Sequence, residues 1–150
     1  MYRRILVPLE HTRTDRCILR HVRQLALHSQ ASVVLIHVAD GWVARSFREL
    51  DLRESDEMRR DRAYLEAEVE ALRADGIAAE AVLAGGDPAK EICAAAERER
   101  CDLIAMGTHG HRFLADMVYG SVANGVRHLA RVPVLLLRDA GDSDAVPANG

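Results

Sequence analysis

The chain has 150 residues, of which 49% are apolar and 29% charged, which is typical of one ordinary globular domain. Twenty basic and twenty-three acidic side chains give a net charge of −3, so there is no basic surplus to neutralise a nucleic-acid backbone. The longest apolar runs are far shorter than the roughly 20 residues that a membrane helix needs. Three cysteines without C-x-x-C spacing indicate neither a disulfide framework nor a zinc site. We therefore expect a cytoplasmic protein with no nucleic-acid or membrane partner.

Five short apolar runs predict β-strands. They cover residues 5–9, 33–38, 77–83, 103–106 and 132–137. Four of the runs are nearly continuous and rich in β-branched residues, as expected of strands covered on both faces, whereas 77–83 alternates and contains several alanines.

Helical periodicity separates these strands. The first helix begins after Thr12 or Thr14, either of which could cap it, and the second runs from about 55 to 74 and ends near Gly76. Asp87-Pro88, a cap followed by proline, begins the third helix, and Gly120-Ser121 begins the fourth. The charged run 54–62 is interpreted as a solvated helix face.

The order of elements alternates strictly between strand and helix. It predicts a single-domain, Rossmann-like α/β fold over residues 1–138, with a parallel sheet, helices on both faces and right-handed crossovers. Residues 139–150 are small and polar, and we expect a disordered tail. The connection 39–54, which contains Trp42 and Phe47, either covers the sheet edge or forms a lid or partner surface.

The segment that follows the fourth strand carries the strongest functional signal. Ligands of open α/β sheets bind at the carboxyl ends of the strands. Here Gly107 and Gly110 allow close backbone approach, and Gly120-Ser121 begins a helix whose free N–H groups suit an anion. One helix end contributes about 0.3–1 kcal/mol, and up to ~2 when partly buried. Micromolar affinity needs a binding free energy of roughly −8 kcal/mol, so several loops must converge on the ligand.

The spacing Gly-x2-Gly-x9-Gly-Ser over residues 107–121 resembles the nucleotide loop of the universal stress protein family. Residues 4–9, 102–107 and 132–135 are similar to its first, fourth and last strands, so the resemblance covers nearly the whole chain, 2–138. It implies the strand order 3-2-1-4-5, a homodimer and, in one branch of the family, an ATP site, with Mg²⁺ as the ion that would accompany ATP.

The resemblance also implies which residues bind the nucleotide. Pro8, Leu9 and Glu10 would lie near the adenosine, Val38 would cover the base, and Met106 and Gly107 would line the pocket. Gly110, Gly120, Ser121 and Val122 would cradle the phosphates. Apart from the resemblance, the position of three side chains beside the glycine loop makes them further candidates for phosphate contacts: His109, His111 and Arg112. Members that bind nucleotide usually have Asp where this chain has Glu10. Glutamate keeps the negative charge, but its side chain is one methylene longer. The chain lacks a G-x4-G-K-[ST] loop, so we expect at most slow ATP hydrolysis or autophosphorylation.

Four histidines fall at the expected carboxyl ends of strands: His11, His37, His109 and His111. With a nearby carboxylate they could bind Zn²⁺ or Mn²⁺. Alternatively, they hydrogen-bond loop carbonyls, or His109 and His111 contact phosphate. Ser121 likewise has three interpretations: a helix cap, a phosphate ligand and a phosphorylation site.

These observations favour a universal-stress-type protein that binds an adenine nucleotide, ATP above the others, and acts as a stress-response sensor or regulatory module. The alternatives are a nucleotide-independent interaction module of the same fold and a metal-responsive protein that uses the strand-end histidines. The last strand would lie at the sheet edge, and an apolar edge needs covering. We therefore predict that Val134, Leu135, Leu136 and Leu137 form a homodimer contact.

Overall fold

A computed structural model of the chain describes residues 1–40, 56–108 and 120–138. Trp42 and Phe47 of the connection 39–54 and the tail 139–150 lie outside these residues. The strands β1 to β5 are Arg4–Pro8, Ser32–Asp40, Ala79–Gly86, Leu103–Gly107 and Val134–Leu137. The helices α1 to α4 are Thr14–Ser29, Asp56–Ala74, Pro88–Arg98 and Ser121–Leu129.

The five strands form one sheet with the order β3-β2-β1-β4-β5, and all four pairings are parallel. The predicted α/β class and strand order are therefore confirmed. The chain moves outward from β1 through β2 to β3 and then crosses to β4 on the other side. This reversal creates a crevice between the carboxyl ends of β1 and β4, where such sheets bind ligands.

The core consists of two apolar layers, one on each face of the sheet. Alternate strand residues such as Val7 and Leu35 pack with Leu65 and other residues of α1 and α2. Their sequence neighbours, such as Leu6 and Ile36, pack with residues of α3 and α4. The central strands β1 and β4 are buried on both faces, which explains their continuous apolar sequences.

The third strand differs from the prediction by two to three residues at each end. Ile77 is still part of the turn after α2, because its N–H donates to the carbonyl of Leu72. The strand then continues to Gly86, because β2 offers a parallel partner as far as Asp40. The fifth strand begins at Val134 rather than 132, directly after Pro133, which has no N–H to donate.

Two predicted helix caps are wrong. Arg13 occupies the N-cap of α1 and makes no side-chain cap bond, so neither Thr12 nor Thr14 caps this helix. At α4 the N-cap is Gly120, and Ser121 is the first helical residue. The predicted cap of α3 is confirmed, because the Asp87 carboxylate accepts the N–H of Lys90 at 3.0 Å.

In the parts of the chain described above, no helix is long and apolar enough to cross a membrane.

Candidate functional site

A cavity of about 130 Å³ lies at the carboxyl ends of β1, β2 and β4. Seven of the residues predicted to bind nucleotide line it: Pro8, Leu9, Glu10, Val38, Met106, Gly107 and Val122. They come from four separate stretches of the chain, so the strand-end loops do converge on one site.

Of the other six residues predicted to bind nucleotide, two lie within the described ranges. Gly120 is buried at the N-cap of α4 and Ser121 is exposed in its first turn, next to the cavity-lining Val122. His109, Gly110, His111 and Arg112 lie outside the described residues, so their contribution stays a prediction.

The cavity wall is divided by polarity. Ile18, Ile36 and Ile92 contribute apolar surface from both sides of the sheet, and the sequence analysis did not identify them. Glu10 and Asp15 contribute two carboxylates beside β1. Such a site suits a ligand with an apolar part and a hydrogen-bond donor that reaches the exposed Glu10.

Gly107 keeps the end of β4 free of side-chain bulk. A Cβ at this position would lie 3.0 Å from Cδ1 of Ile18, which is tighter than an ordinary van der Waals contact. Since Gly107 and Ile18 both line the cavity, a side chain at position 107 would narrow the cavity at the end of β4.

Asp15 anchors the loop that carries Glu10. Asp15 is 1% exposed, and its carboxylate accepts the N–H groups of Glu10 at 3.1 Å, His11 at 2.8 Å and Thr12 at 3.4 Å. The hydroxyl of Tyr64 on α2 donates to the same carboxylate at 2.7 Å. Burial and this hydrogen bond raise the pKa of Tyr64 well above its ordinary range, so the phenol stays neutral.

His11, which follows the cavity-lining Glu10, is held in an uncommon conformation. Its φ is +61°, in the left-handed region that residues with a Cβ seldom adopt. The ring stacks on Tyr64 with centroids 4.0 Å apart, and Nδ1 lies 3.0 Å from Oδ1 of Asp61. These contacts fix the strained residue in place.

His37 lies in the carboxyl-terminal half of β2 and lines the cavity. Its Nδ1 is 2.8 Å from the Leu9 carbonyl oxygen, and its Nε2 is 3.3 Å from Oδ2 of Asp61. His37 therefore bonds a loop carbonyl, as one interpretation of the histidines predicts. His11 and His37 share the carboxylate of Asp61, which is buried although the charged run 54–62 is interpreted above as a solvated face.

Within residues 1–40, 56–108 and 120–138, no group of three His, Cys, Asp or Glu side chains is arranged to hold a metal ion. The proposed four-histidine metal site also needs His109 and His111, which lie outside these ranges. It therefore stays a prediction.

The parallel sheet and its strand order define a domain of the doubly wound α/β class, with a cavity at the point where that order reverses. Comparison with known proteins narrows this class to one family. The model of the universal stress protein family matches residues 1–138, and the chain therefore belongs to this family.

Individual relatives match over almost their full length. A universal stress protein of Methanothermobacter thermautotrophicus is 32% identical, with 92% of this chain and 97% of the relative covered. The universal stress protein MJ0577 of Methanocaldococcus jannaschii is 27% identical, with 92% and 96% covered. The solved structure of MJ0577 superimposes with a TM-score of 0.79 at 29% identity and covers 93% of this chain and 97% of its own.

Proposed function

We propose that this protein binds ATP in the cavity at the ends of β1, β2 and β4 and acts as a sensor or regulatory module in the stress response. The observation that carries the proposal is the convergence of Glu10, Val38, Met106 and Gly107 on one cavity. These are positions at which the resemblance to universal stress proteins implies nucleotide contacts.

Two structures of the same fold support an adenine nucleotide as the ligand class. A universal stress protein was solved in complex with cAMP, and it superimposes with a TM-score of 0.66 at 19% identity. A universal stress protein of Archaeoglobus fulgidus was solved in complex with dAMP, with a TM-score of 0.66 at 22% identity.

Each part of ATP has a candidate partner in this proposal. The apolar wall with Val38 and Met106 would take the base, and the Glu10 carboxylate would accept hydrogen bonds from the ribose hydroxyls. The start of α4, at Gly120 and Ser121, would face the phosphates together with the glycine loop before it. Mg²⁺, when it accompanies ATP, would be held through the phosphate oxygens.

The adenosine half of ATP is expected to supply most of the binding free energy. A helix N-terminus contributes about 0.3–1 kcal/mol toward an anion, whereas micromolar affinity needs roughly −8 kcal/mol. Burial of the base at about 25 cal/mol per Å² and charge-assisted hydrogen bonds to the ribose must supply most of the difference. Substitutions around the base and ribose should therefore weaken binding more than substitutions at the start of α4.

The first test is whether the purified protein carries or binds a nucleotide. We expect mass spectrometry of the denatured protein to find an adenine nucleotide, and calorimetry to show ATP binding to the emptied protein. If the protein carries no nucleotide and millimolar ATP gives no binding signal, the proposal fails. The nucleotide-independent interaction module would then replace it.

The second test addresses Glu10. Loss of one charged hydrogen-bond acceptor costs about 1.5–3 kcal/mol, so Glu10→Ala should weaken ATP binding by roughly tenfold or more. Glu66→Ala is the matched control, because Glu66 is exposed on α2 and is not among the lining residues. Equal affinities of the two variants would contradict the ribose role.

In the proposed role, the signal is the presence of bound nucleotide and not its hydrolysis. Incubation with ATP should therefore give only slow hydrolysis or self-phosphorylation, and Ser121, exposed at the start of α4, is the residue to map if phosphate is incorporated. Rapid multiple turnover would identify the protein as an ATPase and contradict this role.

We also propose that the protein is a homodimer through β5. Within the described sheet, β5 pairs with β4 alone, and its residues Val134–Leu137 are only partly buried. An edge strand of this kind is usually covered, and pairing with the same strand of a second copy would close it.

Light scattering at tens of micromolar should give a dimer mass. Leu136→Lys should shift the protein toward monomer or insoluble material. Leu27→Lys, which changes an exposed leucine on α1, should leave the mass unchanged. A monomer mass for the unmodified protein would contradict the dimer and would show that something other than a second copy covers the β5 edge.

A further inference from the structure

A second cavity, of about 380 Å³, lies between the end of α3, the start of β4 and the connection from α4 to β5. The buried residues Ala96, Cys101 and Ile104 form part of its wall, and Ala130 and Val132 extend the apolar side. No described residue lines both this cavity and the one at the carboxyl ends of the strands. At the ~30 Å³ that each water molecule occupies in the liquid, the space holds about twelve non-hydrogen atoms. The second cavity therefore has the size of a separate small-molecule site.

The charged side chains that line this cavity leave one arginine uncompensated. Glu97 and Arg131 offset each other, because Oε1 of Glu97 lies 3.5 Å from Nε of Arg131. The two lining thiols add no negative charge, because burial raises the pKa of Cys93 and raises the pKa of Cys101 to about 11. In the parts of the chain that the structure describes, the guanidinium of Arg100 has no hydrogen-bond or ion-pair partner. The lining therefore carries a net positive charge beside an apolar wall.

Arg100 occupies a backbone position that favours glycine. Its φ is +55°, and its N–H donates to the Glu97 carbonyl at 3.1 Å. The N–H of Cys101 donates to the Ala96 carbonyl at 2.8 Å, which completes the hydrogen-bond pattern of a helix that ends in a left-handed residue. Helix α2 ends in the same pattern with a glycine, Gly76, at φ +84°. An arginine in this conformation is less favourable than glycine, but it brings a guanidinium to the cavity.

We propose that the second cavity binds a small amphipathic carboxylate, an acid with an apolar chain of about eight to ten carbon atoms. The chain would lie against Ala96, Ile104 and Val132, and the carboxylate would bond to the guanidinium of Arg100. This site goes beyond the proposed nucleotide function and does not depend on it.

The charge of the lining favours a carboxylate over the other common anions. A guanidinium presents two parallel N–H groups to the two oxygens of a carboxylate, and the single charges match. A phosphate monoester would bring a second negative charge close to Glu97, whose carboxylate already has Arg131 as its partner. An ammonium ligand would meet the unpaired Arg100 and be repelled.

Octanoate and 1-octanol are the probes, because they share a chain length and differ in the charged head group. Calorimetry or ligand-observed NMR on the unmodified full-length chain should give saturable octanoate binding with a Kd below about 1 mM. Binding of 1-octanol should be about tenfold weaker or more, because it lacks the charge-assisted hydrogen bonds to Arg100.

Arg100→Gly separates the proposed role from a structural one. It should lower the affinity for octanoate about tenfold or more and leave the affinity for 1-octanol within about twofold. Its melting temperature should not fall, because glycine suits the left-handed position, so unfolding cannot account for the loss. Arg100→Lys keeps the positive charge and should retain a preference for octanoate over 1-octanol.

Gln30→Gly is the matched control, because Gln30 is also a left-handed residue at a helix end, with φ +56°, and lines neither described cavity. It should leave both affinities unchanged. Ala130→Leu, which places a larger side chain at the wall, should weaken both probes by similar factors.

Three outcomes would overturn the proposal. The first is the absence of saturable octanoate binding up to about 10 mM. The second is equal affinity of the unmodified protein for octanoate and 1-octanol, which would remove the anion recognition. The third is unchanged octanoate affinity in Arg100→Gly or in Ala130→Leu, which would place the ligand elsewhere. None of these measurements uses ATP, so a failure of the nucleotide proposal would leave this test intact.

Discussion

Replacing Asp15 by alanine should destabilise the protein by removing the acceptor that organises the rim of the cavity. The carboxylate receives the N–H groups of Glu10 and His11 and the hydroxyl of Tyr64, and it is almost fully buried. In the variant these donors lose their partner, and His11 keeps its left-handed backbone without the bond that stabilises it.

The magnitude follows from these contacts. A hydrogen bond to a charged group contributes about 1.5–3 kcal/mol. The loop N–H groups of Glu10, His11 and Thr12 belong to exposed residues and can bond to water instead, so each contributes at the low end or below. The hydroxyl of the half-buried Tyr64 loses more. Part of this loss is offset because alanine removes the cost of burying a charge. We expect a net loss of about 3 kcal/mol, or a melting temperature roughly 6–12 °C lower for a domain of this size.

Calorimetry or urea unfolding measures this loss, and a double-mutant cycle with Tyr64→Phe tests its cause. Tyr64→Phe alone should cost about 1.5 kcal/mol, but much less in the Asp15→Ala background, where the acceptor is already gone. A loss below about 1 kcal/mol for Asp15→Ala, or additive effects of the two substitutions, would refute the reasoning.

Three further predictions concern stability and reactivity. Burial and the bond to Asp15 raise the pKa of Tyr64, so above about pH 10 the tyrosine ionises more readily in the unfolded chain and stability falls. Tyr64→Phe should flatten this alkaline decrease of the unfolding free energy, and an unchanged pH dependence would contradict the role of Tyr64. Burial raises the pKa of Cys101 to about 11, so mass spectrometry should find this thiol labelled at neutral pH only after urea unfolding, and labelling of the native protein would count against a buried thiol. A Cβ at Gly125 would lie 2.7 Å from that of Ala89, so Gly125→Ala should push α4 away from α3 and cost about 1–3 kcal/mol in urea unfolding; Asn124→Ala, at an exposed position on α4, is the control, and equal stabilities would contradict the close packing.

Elements with continuous apolar runs could be predicted from the sequence, because burial on both faces leaves a local signature. This explains the agreement for β1, β2 and β4, whose central residues are buried on both sides. The end of β3 has no such signature, because Ala84, Gly85 and Gly86 are small and would suit a loop equally well. Only the register with β2, set by tertiary pairing, shows that they belong to a strand.

The cavity was predictable where the resemblance supplied positions, and not where side chains meet across long separations. The bond between Tyr64 and Asp15 spans 49 residues, and that between His11 and Asp61 spans 50. A signal for the two carboxylates was nevertheless present. Asp61 lies four residues before Leu65 and eight before Val69, on the buried stripe of α2. Asp15 shares the stripe of α1 with Ile18 and Val22. A carboxylate on an apolar stripe predicts a buried charge that needs donors.

Those donors explain why the two positions are charged rather than apolar. Asp15 accepts the N–H groups of Glu10 and His11, whereas Asp61 accepts the Nδ1–H of His11 and lies 3.3 Å from Nε2 of His37. An apolar side chain at either position would fill the space but would give these N–H groups no hydrogen-bond acceptor, and dispersion contacts would not orient them. Burying the carboxylates costs desolvation energy, which several donors at each one offset. Since His11 bonds to both carboxylates and Tyr64 donates directly to Asp15, two residues join α1 and α2 beside the cavity. The geometry of the cavity on the β1 and β2 side is therefore determined by helix positions as much as by the residues that line it.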